Sequence, residues 1–182
     1  KIGVEDYIKH PLKTSWEENE FFNDPQEYIS DFKKYTNVAD IFISGHFWDN
    51  RSPVFFTMDQ IKNDDFTIRV IADVSCDIAE PIPTTLRSTT ISEPFYDINR
   101  NDGSEKHAFS EKDGISVMAV DNLPCELPRD ASVDFGKHLS EDVIPLLVYG
   151  DRDSILENAT ICKKGQLTKP FSYMESFVGA NC

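Results

Sequence analysis

The chain has 182 residues and a formal net charge of −14, from 32 acidic and 18 basic side chains. A surface with this excess of acids repels nucleic acids and anionic membranes, so we expect neither as a partner. No stretch approaches the ~20 apolar residues that a membrane-spanning helix requires.

The first fifty residues predict one amphipathic helix and one buried strand. Asp24 and Pro25 form a helix start, with Asp as the N-cap and Pro in the first turn. Apolar residues at helical spacing then predict a helix over 25–36. The sequence ADIFIS at 39–44 is a continuous apolar run of strand length, which is typical of a buried parallel strand.

The middle of the chain alternates between predicted helices and strands. Residues 52–61 predict a short helical region with a buried side, and 67–73 and 115–120 are two further apolar runs of strand length. The intervening residues 78–104 are rich in Pro, Thr and Ser and predict a long irregular connection. This alternation indicates an α/β fold with a parallel sheet.

Beyond the third strand the pattern becomes helical. Asp130 is predicted to cap a long helix, and Pro145 predicts a kink within it or a junction of two helices. Shorter helices are predicted over 151–159 and 172–178. The four cysteines form no C-x-x-C pair, so we expect no metal site and reduced thiols, which favours a cytoplasmic protein.

Polar side chains appear where two of the predicted strands end. Asp73 and Asp77 flank a short turn after the second strand, and Asp121 and Asn122 follow the third. Open α/β sheets bind ligands at the carboxyl ends of their strands. The sequence therefore predicts a ligand site at this edge of the sheet.

Four segments, in this order, resemble the lysine-ketoglutarate reductase and saccharopine dehydrogenase family. More distantly they resemble alanine dehydrogenase and the nucleotide domains of transhydrogenases. The segments are DVSCD at 73–77, RSTT with the nearby PFY within 87–96, DNLPCELPRDAS at 121–132 and GQLTKPFSYMESFVG at 165–179. The four segments together are a specific indication of the family, whereas any one of them alone is weak evidence.

The resemblance implies a partial Rossmann-like parallel sheet with flanking helices. Residues 1–149 correspond to the C-terminal part of the NAD(P)-binding domain with its crossover helix, and residues 150–182 to a return segment to the substrate domain. The implied enzyme is an NAD(P)-dependent oxidoreductase that acts on a small amino-acid or keto-acid substrate, interconverting lysine plus 2-oxoglutarate with saccharopine. An alanine dehydrogenase-like enzyme, or a non-catalytic regulatory or interaction domain of the same fold, stays open as an alternative.

Individual residues have expected roles: the resemblance implies those of Asp77 and of the 120–123 segment, and position and chemistry suggest the others. Asp77 matches an active-site aspartate and is the predicted catalytic residue, although it also suits a turn cap. Asp73, inside an apolar run, is expected to have a structural partner. Arg87 either binds a substrate carboxylate or ties the long connection to the sheet. The predicted cofactor-binding residues are Gly45, His46, Phe47, Val120, Asn122 and Leu123.

The sequence lacks one motif that a nicotinamide-dependent enzyme requires. None of the eight glycines forms the G-x-G-x-x-G turn that holds the pyrophosphate. We therefore expect the chain to be the C-terminal part of a longer enzyme and to be inactive alone. The missing N-terminal part would supply the turn and the family's lysine and histidine. The choice between NAD and NADP, and a homo-oligomeric state, are left open.

Overall fold

The computed structural model of the chain describes residues 1–179. They divide into two compact units, the first from Lys1 to Glu126 and the second beginning at Leu127. In chain order the first unit contains α1 (Val4–Tyr7), β1 (Ile8–Lys9), α2 (Glu18–Asn23), β2 (Ile29–Ser30), α3 (Lys33–Thr36), β3 (Ile41–Ser44), β4 (Val70–Asp73), β5 (Phe95–Ile98), β6 (Glu105–Lys106) and β7 (Ile115–Met118). The second unit contains α4 (Pro128–His138), α5 (Ile144–Tyr149), α6 (Ile155–Ala159), β8 (Cys162–Lys163), β9 (Gln166–Leu167) and α7 (Glu175–Val178).

A five-stranded mixed sheet forms the centre of the first unit, with the strand order β3-β4-β7-β5-β6. The strands β3, β4 and β7 are parallel neighbours, which confirms the three predicted parallel strands. β5 then pairs antiparallel with β7, and β6 continues it as a hairpin. The α/β fold class is confirmed, and the antiparallel hairpin is an addition to the predicted parallel sheet.

The core lies against one face of this sheet. Phe42, Ile71, Val117 and Tyr96 lie side by side across four neighbouring strands. Buried aromatic and aliphatic side chains from the connections pack around Ile71, Val117 and Tyr96. Burial of each of these side chains stabilises the fold by about 1.5–3 kcal/mol. These are Phe32, Phe55, Phe56, Ile61, Phe66, Ile68 and Ile82.

The helix predicted over 25–36 is wrong. The segment instead forms a 3₁₀ turn at Pro25–Glu27, the short strand β2 and the single-turn helix α3. Two tertiary contacts compete with the helix: β2 pairs antiparallel with β1, and the Ser30 hydroxyl donates to the Phe55 carbonyl at 2.9 Å. The apolar residues that suggested a helix serve two different clusters, since Tyr28 packs with Phe21 and Phe32 packs in the main core.

Two further predictions about the connections need correction. The region 52–61 is irregular, with one 3₁₀ turn at Gln60–Lys62. The backbone N–H of Phe55 donates to the distant Pro81 carbonyl at 2.9 Å, and this tertiary contact replaces a helical hydrogen bond. The connection 78–104 is irregular only in part, since it contains β5.

The second unit follows its predicted helical pattern with local differences. Its long helix begins at Pro128, so Asp130 lies in the first turn and is not the N-cap. In the first turn the negative charge of Asp130 still interacts favourably with the positive end of the helix dipole. A π-helical segment, Leu139–Val143, separates α4 from α5 and ends two residues before Pro145. Proline has no N–H for the helical ladder, and the wider turn accommodates this, as the predicted junction requires.

The remaining helices of the second unit are shorter than predicted. α6 covers the second half of 151–159, and a 3₁₀ segment at Lys169–Met174 precedes α7. Within residues 1–179, every helix is too short or too polar to cross a bilayer.

Candidate functional site

Three connections leave the sheet at the same edge. Because β3, β4 and β7 are parallel neighbours, the residues that follow them lie at one shared edge. These are 45–47 after β3, 74–77 after β4 and 119–123 after β7. The structure thus brings the predicted cofactor-binding residues and Asp77 to the same edge. Arg87 instead pairs with Glu105 of β6.

Ser75 joins the connection after β3 to the connection after β4. The backbone N–H of His46 donates to the Ser75 hydroxyl oxygen at 3.0 Å, and that hydroxyl donates to the His46 carbonyl at 3.1 Å. The imidazole Nδ1 lies 3.1 Å from Ser75 Oγ and 2.7 Å from Ser44 Oγ. Two serines therefore fix both the backbone and the ring of His46, a role that the sequence did not reveal for either of them.

The environment of His46 favours the neutral imidazole. Burial lowers the pKa of the ring below its usual range, against the carboxylates of Asp73 and Asp77, which raise it. The ring packs edge-on against Phe55, with 4.7 Å between the ring centroids. Its Nε2 atom is buried and has no hydrogen-bond partner among residues 1–179.

Asp73 is fully buried and fully engaged. Its Oδ2 accepts a hydrogen bond from the Thr85 hydroxyl at 2.7 Å, and its Oδ1 accepts one from the Cys76 backbone N–H at 3.1 Å. These contacts supply the partners that a buried carboxylate requires. Asp73 therefore holds the start of the long connection against the strand that carries the Asp77 turn.

Cys76 connects the Asp77 turn to the end of β7. Its thiol donates to the Ala119 carbonyl at 3.3 Å, and its backbone is left-handed with φ of 56°. Burial raises the pKa of the thiol, with the neighbouring carboxylates of Asp73, Asp121 and Asp77 acting in the same direction. The thiol therefore stays protonated at neutral pH and acts as a packing and hydrogen-bonding group.

Thr89 fixes the same end of β7 from the other side. Its backbone N–H donates to the Ala119 carbonyl at 2.8 Å, and its hydroxyl oxygen accepts from the Ala119 N–H at 3.1 Å. Thr89 also bridges to Val120 as a parallel partner, so Val120 is buried while Asn122 beyond it is exposed. This explains why the RSTT motif accompanies the 119–123 segment in the sequence.

Asp77, Asn122 and the exposed Asp121 are uncommitted polar groups of this edge. Within residues 1–179, neither the Asp77 carboxylate, which is half-buried, nor the Asn122 side-chain amide makes a hydrogen bond, and Asp77 is in no ion pair. The two residues follow directly paired strands, β4 and β7. Both side chains are thus available to a ligand, in contrast to Asp73.

Arg87 forms a salt bridge with Glu105. Its guanidinium donates from Nη2 to Glu105 at 2.8 Å and from Nε to the same carboxylate at 3.1 Å. It also stacks over the Tyr96 ring at 4.9 Å from the centroid. These contacts tie the long connection to β6, which is the structural alternative predicted for this residue.

The other predicted cofactor-binding residues differ in exposure. Phe47 is 86% exposed, and Gly45 is also exposed. A Cβ atom added at Gly45 would meet nothing within 4 Å, so packing inside the chain does not demand glycine there. Leu123 is half-buried at the start of the 3₁₀ turn Leu123–Glu126.

Comparison with known proteins gives curated relatives along most of the chain. Alpha-aminoadipic semialdehyde synthase of Arabidopsis thaliana is 28% identical over an alignment of 182 residues, gaps included, and the alignment covers 95% of this chain. Saccharopine dehydrogenase (NAD(+), L-lysine-forming) of Emericella nidulans is 30% identical over 139 residues, or 74% of this chain. The mitochondrial alpha-aminoadipic semialdehyde synthase of Rattus norvegicus is 27% identical over 83% of this chain. No protein-family model matches.

The chain is therefore similar over most of its length to enzymes of the lysine-ketoglutarate reductase and saccharopine dehydrogenase family. It spans only part of these relatives, namely 17% of the Arabidopsis protein, 33% of the Emericella protein and 19% of the rat protein. The family resemblance that rested on four sequence segments is thereby confirmed.

Proposed function

We propose that this chain is part of an NAD-dependent oxidoreductase of lysine metabolism that forms or cleaves saccharopine. The names of the relatives support this reaction class, and those of the fungal relatives specify NAD(+). The substrate is an amino acid with a secondary amine, and the reaction transfers a hydride at the carbon that bears the nitrogen.

One observation carries the proposal: an uncommitted, half-buried carboxylate lies at the ligand edge of the sheet. Asp77 follows β4, and the uncommitted amide of Asn122 follows the adjacent strand β7. The other carboxylate of the same turn, Asp73, already has two hydrogen-bond partners. Of the two acids in DVSCD, Asp77 is therefore the one that can receive a substrate.

In the proposed mechanism, Asp77 binds the substrate nitrogen. A carboxylate attracts an ammonium or iminium group by its charge and accepts its N–H hydrogen bonds, so it favours the cationic state through which the reaction passes. The Asn122 amide, which both donates and accepts, orients hydroxyl or amide groups beside it. The nicotinamide of the bound cofactor supplies the hydride acceptor.

The described residues fit only one end of this cofactor. The uncommitted groups at the strand ends suit the nicotinamide and the substrate, whereas residues 1–179 contain no Gly-rich turn for the pyrophosphate. We assign the pyrophosphate site and the acid–base groups to another part of the polypeptide in which this chain occurs.

The direct test is an activity assay of the full gene product that contains this chain. We expect saccharopine-dependent reduction of NAD, with alanine as a much poorer substrate. Preference for alanine would replace the proposal with an alanine dehydrogenase-like activity. Failure to oxidise either substrate with NAD or NADP, in protein shown to be folded, would favour the non-catalytic alternative.

A further inference from the structure

The turn that carries Asp77 contains two residues with strained backbone. Cys76, directly before Asp77, and Ala79, two residues after it, are both left-handed, each with φ of 56°. This conformation costs a residue other than glycine about 1–2 kcal/mol. It persists only where the surrounding structure imposes it. The contacts that hold Cys76 and Ala79 therefore determine where the turn places Asp77.

Both strained residues depend on Thr85. The backbone N–H of Ala79 donates to the Thr85 carbonyl at 2.7 Å. The backbone N–H of Cys76 donates to Asp73 Oδ1 at 3.1 Å, and Asp73 Oδ2 accepts from the Thr85 hydroxyl at 2.7 Å. Thr85 consequently holds the segment 73–79 at both ends, at one end directly through its carbonyl and at the other through the Asp73 carboxylate.

Thr85 is itself fixed in the interior of the first unit. It is fully buried, and its backbone N–H donates to the Ile82 carbonyl at 3.0 Å. The Tyr96 hydroxyl of β5 donates to the Thr84 carbonyl at 2.9 Å and accepts from the Leu86 N–H at 2.8 Å. The residues on each side of Thr85 thus share one anchor on the sheet, and Thr85 has a defined position relative to β4.

Asp77 makes no hydrogen bond that would fix its own carboxylate. Its side chain also has no ion pair among residues 1–179, so the backbone of the turn decides where the carboxylate lies. Catalysis is sensitive to such a position, because a displacement of about 1 Å can cost about a hundred-fold in rate. A carboxylate that receives the substrate nitrogen therefore depends on the residues that fix its turn.

We propose that Thr85 is a positioning residue for Asp77. Its hydroxyl, through Asp73, and its carbonyl, through Ala79, together fix the left-handed turn that presents the Asp77 carboxylate to the substrate. This inference rests on the proposed function, in which Asp77 binds the substrate nitrogen.

The kinetic test is Thr85→Val in the full gene product, which removes the hydroxyl and retains the shape and the carbonyl of Thr85. We expect kcat for saccharopine oxidation to fall about tenfold, which is less than for full misplacement because the carbonyl still holds Ala79. The KM for NAD should stay within about twofold, since the substitution moves the group that acts on the substrate. Thr85→Ser, which retains the hydroxyl, should keep kcat within about threefold of wild type.

Arg100→Ala is the matched control for lost stability. It removes hydrogen bonds to the carbonyls of Ile61, Asn63 and Phe66, which lie outside the turn. At a temperature where every variant is folded, Arg100→Ala should keep kcat within about threefold of wild type. A wild-type kcat in Thr85→Val, or an equal loss of kcat in Thr85→Val and in either Arg100→Ala or Thr85→Ser, would overturn the proposal.

NMR of the chain of 182 residues examines the turn independently of activity. Thr85→Val should shift the amide signals of Cys76 and Asp77 and raise the hydrogen-exchange rate of the Cys76 amide, whereas Thr85→Ser should leave both near wild type. Turn signals that are the same in Thr85→Val and wild type would overturn the proposal whatever the activity. If the wild-type gene product does not oxidise saccharopine, the proposed function fails, and these signals alone decide whether Thr85 fixes the turn.

The wild-type chain gives the deciding measurement if Thr85→Val does not fold. The amides of Cys76 and Ala79 have acceptors, whereas the neighbouring N–H of Ile78 has none among residues 1–179. Cys76 and Ala79 should therefore exchange at least about tenfold more slowly than Ile78, after correction for sequence effects. Equal exchange rates at the three positions would show that the turn is not held, and they would overturn the proposal.

Discussion

Removal of the Asp73 carboxylate should destabilise the first unit strongly. The carboxylate is fully buried and accepts hydrogen bonds from the Thr85 hydroxyl and the Cys76 N–H. A hydrogen bond to a charged group contributes about 1.5–3 kcal/mol, and Asp73→Ala loses two and leaves both donors unpaired. We therefore expect the free energy of unfolding to fall by about 3–5 kcal/mol.

Two further variants separate charge from hydrogen bonding at this position. Asp73→Asn retains an acceptor for Cys76, and its amide can donate to the Thr85 oxygen, so the expected loss is about 1 kcal/mol. Thr85→Val removes one donor and should cost about 1–3 kcal/mol.

The assay is urea unfolding of the chain, followed by circular dichroism. In the double variant Asp73→Ala/Thr85→Val the two losses should not add, with a coupling of at least about 1 kcal/mol. Additive losses, or an Asp73→Ala variant within about 0.5 kcal/mol of wild type, would refute the reasoning.

Three other predictions concern acid stability, a cationic clamp and nucleotide binding. Burial alone would raise the pKa of Asp97, but hydrogen bonds from a backbone N–H and the Ser116 hydroxyl hold it below its usual range. Asp97 therefore stabilises the fold above its unfolded-state pKa, and this stabilisation is lost as the pH falls through its folded-state pKa. When the melting temperature is measured against pH, Asp97→Asn should reduce the fall that occurs below about pH 4. Arg100 donates to three backbone carbonyls at 2.7–2.9 Å. Arg100→Ala should therefore lower the free energy of unfolding in urea by about 2–4 kcal/mol. The control Arg69→Ala, which removes an exposed ion pair, should lower it by less than about 0.5 kcal/mol. Calorimetric titration of the chain alone should show only weak binding of NAD and NADP, and micromolar affinity for either would contradict the assignment of the pyrophosphate site to another part of the polypeptide.

The parallel strands were predictable from their continuous apolar runs, although β3 lies at the edge of the sheet and leaves Ile41 and Ile43 exposed, so it is buried on one face only. Such runs at 39–44, 67–73 and 115–120 became β3, β4 and β7, each within two or three residues of its predicted bounds. The helix over 25–36 was not predictable in the same way, since its apolar spacing served two separate clusters. β5 was missed because its partner β7 lies in the sequence beyond a hairpin, and pairing at that separation leaves no local signal.

For the candidate site, the sequence identified the edge of the sheet but not the state of each side chain. Asp73 and Asp77 look alike in DVSCD, and only the fold supplies Thr85 to the first of them. Arg87 meets Glu105 across 18 residues of sequence, which no motif indicates. The role of Ser75 was hidden because a serine in a turn is common.

The most direct test of the proposed catalytic role is the kcat of the Asp77→Asn variant in the full gene product, with Asp121→Asn, an exposed acid at the same edge, as the matched control. Asparagine retains the size and turn-forming ability of aspartate and removes the charge that the substrate nitrogen requires. We predict a fall in kcat of about a hundred-fold or more, or ~2–4 kcal/mol, with the melting temperature unchanged and the control near wild type. An Asp77→Asn variant within about threefold of the wild-type kcat would show that Asp77 only shapes its turn, and it would contradict the proposed mechanism.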